Sequence, residues 1–259
     1  MHKLIPAIFF LFFFAASFSQ TMDRLPCVDK KFNVVAHIFL DSIGNPGVTE
    51  AQITQAFADV NTDFAAICIS FEICEFVYHP NFEYDGHDSD EEWEELQVLY
   101  HQPNRINVFY MKKIEVPTDV CGYAGLGQIS NTASNGIVIQ KTPDCCGRRT
   151  HSHELGHYFG LEHTFQGGGS ELADGSNCET EGDGICDTPA DPYVHPSPVE
   201  NYVDDNCRFI YMVQDANGDY YDPITGNIMS YYPDACSCGF THGQLKKMAM
   251  HYLANIGMW

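Results

Sequence analysis

At 259 residues, 44% of them apolar, the chain has material for one large domain with a buried core, which excludes wholesale disorder. A formal charge of -22, from 35 acidic against 13 basic residues, excludes nucleic acid and anionic membrane surfaces as partners, because both would repel it. Eleven cysteines point to a compartment in which thiols oxidise.

Residues 1–19 predict a signal peptide. His2 and Lys3 precede an apolar run from Leu4 to Phe14, and small residues lead to a cleavage near Ser19. The run is short for a membrane span and no second one follows, so a secreted, extracellular protein is expected. Residues 20–31 form a short N-terminal or pro segment; its Cys27 is the cysteine easiest to leave unpaired in an odd count. From Phe32 to Asp41 β-branched and aromatic residues predict a buried strand. Thr49 and Gln52 make a capping box, and Ile53, Phe57, Val60, Phe64 and Ile67 follow on one helical face. Cys68–Tyr78 and Arg105–Ile114 are strand-like, Asp88–Leu96 starts a solvated helix, and Asn135–Lys141 is a short strand. Between Gly167 and Gly239 the composition turns to Gly, Pro, Asp, Asn and Cys with little periodicity. A stretch of that kind needs metals, disulfides or both. Thr241–Asn255 predicts a closing helix that buries Leu245, Met248, Ala249 and Tyr252.

The chemistry is concentrated in THSHELGHYFGLEHTF, Thr150 to Phe165. His153 and His157, four apart on a helix, present both imidazoles on one face. Glu154 lies within reach of a metal-held water without being a ligand, and Gly160 lets the chain turn sharply so that His163 returns as a third ligand. Three neutral imidazoles leave Zn²⁺ one open position, the arrangement of a catalytic zinc. His151, His37, His79, His87 and His101 fall outside this spacing and are expected to be structural, and Glu162 is expected to be a surface acid.

HELGHYFGLEH resembles the extended zinc signature of the metzincin metalloproteases, and Met229 in GNIMSYY supplies the Met-turn. The wider text, GLEHTFQGG, GDGICDTPAD, NIMSYY and FTHGQ with VVAHIFLD and GYAGLGQ upstream, resembles the pappalysin branch of the cytophagalysin and ulilysin type from about Phe32 to Gln244. That resemblance implies an α+β fold and a catalytic domain over 32–259. An upper part, about 32–160, would hold a twisted mixed sheet and two helices. A lower irregular part, about 161–259, would end in the C-terminal helix. It implies a monomeric zinc endopeptidase acting on protein or peptide substrates laid along an edge strand at Gly136–Gln140.

The same resemblance gives Glu154 the role of general base and then acid. It assigns Tyr231 to the oxyanion, with a packed aromatic as the alternative. Asp183, Asp187 and Thr188 become calcium ligands, so Ca²⁺ joins Zn²⁺ as a cofactor. DANGD, at Asp215–Asp219, is expected to be a simple turn. Disulfides Cys178–Cys207 and Cys186–Cys236 are expected. Cys27 would either cap the zinc in a latent form or join another cysteine. Relatives of the ulilysin type favour a basic residue after the cut, helped by acids between the Met-turn tyrosine and the next cysteine; here Asp234 is present and Ala235 stands beside Cys236. Two other classes stay open: a zinc hydrolase acting on a non-peptide amide, and a secreted binding module that keeps zinc for stability.

Overall fold

The computed structural model describes residues 24–115, 120–129 and 136–259. The signal peptide expected at 1–19, residues 20–23 and Asn135 lie outside the described residues. In chain order the elements are β1 (Lys30–Phe39), α1 (Glu50–Phe64), β2 (Ile69–His79), β3 (Gly86–His87), α2 (Asp90–Tyr100), β4 (Ile106–Met111), β5 (Lys113–Ile114), β6 (Gly122–Ala124), β7 (Gly136–Gln140), α3 (Arg148–Tyr158) and α4 (His242–Ala254).

Five strands form one sheet in the order β2-β1-β4-β7-β6. The pairs β2-β1, β1-β4 and β4-β7 are parallel, and β6 runs antiparallel to β7. Parallel strands need cover on both faces, and the sequence supplies it by alternation. Ile106, Val108 and Tyr110 of β4, with Ile137 and Ile139 of β7, join the main core with residues of α1, α3 and α4. Phe109, Met111 and Val138 face the other way, into a smaller cluster that takes Leu96 and Trp93 from α2. The upper part thus carries three helices, α2 being the additional one.

The capping box at Thr49 and Gln52 is formed, and Ile53, Phe57, Val60, Phe64 and Ile67 are all buried. A hydrogen-bonded polar chain crosses the sheet on the α2 side. Asn107 Nδ2 donates to the carbonyls of Gln102 and Arg105, which fixes its Oδ1 as acceptor for His37 Nε2–H at 3.1 Å. His37 Nδ1 then accepts from His79 Nε2–H at 3.0 Å. Both imidazoles are structural, as their spacing implied, and burial lowers each to a pKa of about 4.

The lower part has α4, short turns and disulfide-closed loops rather than layers. Four disulfides are present among the described residues: Cys27–Cys68, Cys121–Cys145, Cys178–Cys186 and Cys207–Cys236. The expected pairs Cys178–Cys207 and Cys186–Cys236 are therefore corrected. Cys178 and Cys186 close their own local loop, with Cα atoms 5.0 Å apart, and Cys207 reaches Cys236 instead. Of the two alternatives for Cys27 the disulfide is the one formed: it is bonded to Cys68, so it is not the unpaired cysteine and has no thiol to offer zinc. Cys74, Cys146 and Cys238 are free. The edge-strand assignment also changes. β7 lies between β4 and β6, so the edge of the sheet on this side is β6, Gly122–Ala124, the other edge being β2. Asp215–Asp219 is the turn expected, closed by Asp215 Oδ1 accepting from the amides of Asn217 and Asp219.

His37 stays neutral in the fold down to about pH 4, whereas an unfolded histidine takes its proton near pH 6.5. A lowered folded value means stability is complete above about pH 6.5 and is lost as pH falls towards 4, by up to about 1.4 kcal/mol per pH unit for this group. Thermal melts at pH 7 and pH 5 should show a larger loss for the wild type than for His37→Gln, which keeps hydrogen-bonding capacity without the titration.

Candidate metal centre and catalytic cleft

Helix α3 starts at Gly147 with no side-chain cap, and a bidentate ion pair anchors its first turn to α1 instead. Arg148 donates from Nε to Asp63 Oδ2 at 2.9 Å and from Nη2 to Oδ1, and Ser152 Oγ donates to the same carboxylate at 2.6 Å. His151 is consumed inside the fold: Nδ1–H donates to Gly147 O at 2.7 Å, and Nε2 accepts from Tyr110 O–H at 2.9 Å. It is structural, as expected.

The helix ends where the sequence places Gly160. At φ +89° this residue occupies the left-handed region. Leu161 N–H donates to Gly156 O at 2.9 Å and Gly160 N–H to His157 O at 2.8 Å, the paired bonds of a Schellman stop. The reversal carries Leu161 O back to His157 Nδ1–H at 2.7 Å and delivers His163 to the face that already bears His153 and His157. His153 Nδ1–H donates to Ile228 O at 2.8 Å, in the segment leading into Met229.

These carbonyl partners decide the tautomers. A carbonyl only accepts, so the Nδ1 atoms of His153 and His157 carry the protons and their Nε2 atoms are left as bare lone pairs. The three Nε2 atoms of His153, His157 and His163 lie 3.1 Å from one another. Burial is the main cause that lowers all three pKa values, His163 to about 3, with the neighbouring imidazoles adding to the effect on His153 and His163. With two bare lone pairs, on His153 and His157, converging on a third neutral imidazole, the cluster suits a cation at its centre. The Nε2 spacing is close to the roughly 3.3 Å between ligands of a tetrahedral Zn²⁺ with bonds of about 2.0–2.1 Å. Among the described residues this is the one group of three or more His, Cys, Asp or Glu whose ligand atoms lie within 4.8 Å of each other.

Beneath the ligands lies Met229, fully buried. Its Sδ approaches α3 so closely that a Cβ on Gly156 would lie 2.5 Å from it, which accounts for glycine between His153 and His157. The Met-turn is held by a reciprocal amide pair: Asn227 Nδ2 donates to Gln244 Oε1 at 2.9 Å, and Gln244 Nε2 to Asn227 Oδ1 at 3.1 Å. Gln244 also completes the capping box of α4.

Glu154 is almost wholly buried, and its Oε2 has no hydrogen-bond partner. Desolvation holds its carboxyl well above the ordinary carboxylate value. Gly122 of β6 makes room for it, since a Cβ there would lie 3.0 Å from Glu154 Cγ and 2.6 Å from Val138 O. Two cavities meet at Glu154. One of about 480 Å³ is lined by Cys121, Asp144, Thr150, Tyr193, His195 and Val199 among others. The second, about 320 Å³, runs along Gly122, Tyr123 and Ala124 past His157 and His163 to Glu162 and Gln166. Tyr231 borders both cavities, its ring centroid 4.8 Å from that of His163 and 5.8 Å from that of His153. Burial, then the Glu154 charge, raise its phenol to about 12, so it remains a donor.

The acids assigned to calcium divide. Asp183 and Thr188 are buried, with Asp183 Oδ2 and Thr188 Oγ1 lacking any hydrogen-bond partner. Glu171, which no sequence motif had marked, is buried in the same region. Burial raises both carboxyls to about 7, and the Asp183 charge adds to the effect on Glu171. Asp187 is engaged elsewhere, its oxygens accepting from Thr241 Oγ and Gly243 N–H at 2.9 and 2.7 Å, at the start of α4. Asp234 is likewise engaged, by Arg149 Nη1 at 2.8 Å. His195, whose ring stands edge-on to Tyr231 at 5.3 Å, is a further cleft residue outside every motif.

The family model described as pregnancy-associated plasma protein-A, a peptidase family, matches residues 105–253. The chain belongs to this family, the pappalysins. An extracellular metalloprotease of Colletotrichum graminicola is 30% identical over 234 residues, 84% of this chain and 72% of that protein. Extracellular metalloprotease 1 of Coccidioides posadasii is 26% identical over 233 residues, covering 86% and 75%. Tannerella forsythia mature mirolysin, solved in complex with a cleaved peptide, has the same fold, with a TM-score of 0.58 at 19% identity over 88% of this chain and 98% of that one. This pappalysin is a metalloendopeptidase, and its relatives' extracellular naming agrees with its disulfides in making it a secreted protein.

Gly156→Ala should overpack the contact with Met229 Sδ and cost about 1–3 kcal/mol. Denaturant unfolding of the purified chain checks this, and a midpoint equal to that of the wild type would contradict the contact.

Proposed function

We propose that this pappalysin is a zinc endopeptidase in which Glu154 acts as general base and then general acid. The observation that supports it most is the triangle of Nε2 atoms 3.1 Å apart beside a buried carboxyl whose Oε2 has no hydrogen-bond partner. Zn²⁺, held by His153, His157 and His163, would supply Lewis acidity towards the scissile carbonyl and bring the attacking water towards neutrality as an acid. Glu154 takes the proton of that water and delivers it to the leaving amine, and its burial suits a carboxyl that must hold a proton between the two steps. Tyr231, a protonated phenol beside His163, donates to the developing oxyanion. The peptide lies as an added strand on β6, whose residues line the cleft on both sides of Glu154. A peptide laid there favours proteolysis over a small non-peptide amide, and an intact Glu154 has no use in a purely structural zinc site.

The same reading gives Ca²⁺ a place between Asp183, Thr188 and Glu171, with Asp187 serving α4. Hard oxygen donors left without partners in a buried acidic site fit that ion. The upper and lower parts of the domain divide at Gly160, where α3 stops.

With a quenched peptide library, a zinc chelator should abolish cleavage and added zinc restore it. Glu154→Ala should lower kcat by roughly a hundredfold or more while zinc stays bound, and Tyr231→Phe should lower kcat by roughly a hundredfold with KM little changed. Zinc-loaded protein that cleaves no peptide, or a fully active Glu154→Ala, would refute the assignment. Calcium at a hundred times its Kd should stabilise the fold by about 2.7 kcal/mol, and Asp183→Asn should remove that increment in thermal melts.

A further inference from the structure

We propose that the disulfide Cys121–Cys145 is a positioning clamp of the catalytic cleft, fixing the substrate-binding edge β6 against the start of the zinc helix α3. The proposal rests on the reading of β6 as the strand that pairs with substrate.

β6 is only three residues long and is paired on one side, by Gly122↔Ile139, Tyr123↔Val138 and Ala124↔Ile137. So short an antiparallel edge holds register weakly, and a slip of one residue would turn Gly122 away from Glu154 and place a side chain there. Cys121 stands immediately before this strand and forms part of the wall of the 480 Å³ cavity. Its carbonyl accepts from Gln140 N–H at 2.7 Å, at the last residue of β7. Cys145 follows Asp144, which lines the same cavity, and sits in the turn where Cys145 and Cys146 N–H both donate to Thr142 O, directly ahead of Gly147 and α3. The bond therefore closes a 24-residue separation between the start of the edge strand and the turn that leads into the helix bearing His153 and Glu154. It also presents Asp144, the neighbour of Cys145, to the cavity. No cysteine of the other three disulfides lines that cavity.

The choice of partner follows from burial. Cys146 is adjacent and free, but it packs against the main core, and burial raises its thiol to about 11. Disulfide exchange needs a thiolate, so Cys146 does not displace Cys145 from Cys121. Without the clamp the zinc triad would remain intact, since its carbonyl partners come from Leu161 and Ile228. What would loosen is the distance between the peptide strand and Glu154.

The test uses the full secreted chain. Non-reducing peptide mapping should find Cys121 bonded to Cys145 and Cys146 free; Cys121 joined to Cys146 overturns the proposal. A Cys121→Ser, Cys145→Ser double variant should keep one zinc per chain and lose mainly binding, KM rising about tenfold or more while kcat stays within about threefold. The Cys27→Ser, Cys68→Ser pair, remote from the cleft, should leave KM unchanged, as should Cys146→Ser. An unaltered KM in the cleft variant, or an equal rise in the remote one, refutes the clamp. Should the cleft variant not be secreted, the wild type is titrated with a small thiol. Each disulfide opened consumes two thiols, which leave as their own disulfide, and differential alkylation counts the opened pairs. KM must rise in step with loss of Cys121–Cys145; a rise that follows another pair, or none, overturns the proposal. A wild type that shows no zinc-dependent cleavage would instead refute the proposed function and leave the mapping result standing.

Discussion

Three imidazole nitrogens converge on one point, and those of His153 and His157 carry no proton there, an arrangement that a cation relieves. The surrounding chain is built to hold it. Carbonyls of Leu161 and Ile228 take the Nδ1 protons and so fix which nitrogen faces inward, while burial keeps a second proton off. His163 is further steadied by Phe165, whose ring stacks on it at 4.7 Å. The free energy of metal binding is then also folding free energy, because the same contacts that orient the ligands tie the two parts of the domain together.

Those two parts use different physics. The sheet and its helices bury alternating apolar faces and hold themselves up in the ordinary way. The segment after Gly160 has little layering and relies on specific polar contacts instead: the Asn227–Gln244 pair, Asp191 accepting from Tyr232 O–H and Thr164 Oγ–H, and two disulfides. The cleft lies on the seam, so its floor comes from one kind of structure and its upper wall from the other.

Much of this was legible in the sequence because the relevant signals are local. Helix α1 announced itself by a capping box and an apolar face that runs on to Ile67, and the cluster of His153, His157 and His163 by the spacing of a helix followed by a glycine stop. What stayed hidden was set by distance along the chain. The pairing Cys178–Cys186 could not be told from longer loops, since sequence spacing alone does not say which Cα atoms come within bonding range. The true edge strand was missed because Gly122–Ala124 is too short to show a period, and Glu171 because no motif surrounds it. Asp234 was visible as an acid, but its ion pair with Arg149, reaching across from α3, was not.

The amide pair between Asn227 and Gln244 has a consequence in time. The histidines are made early, yet Met229 is seated beneath them only when its turn is gripped by a residue of α4, the next helix to leave the ribosome long after His163. A chain in which His153, His157 and His163 are already made thus has no finished floor under them until α4 is in place.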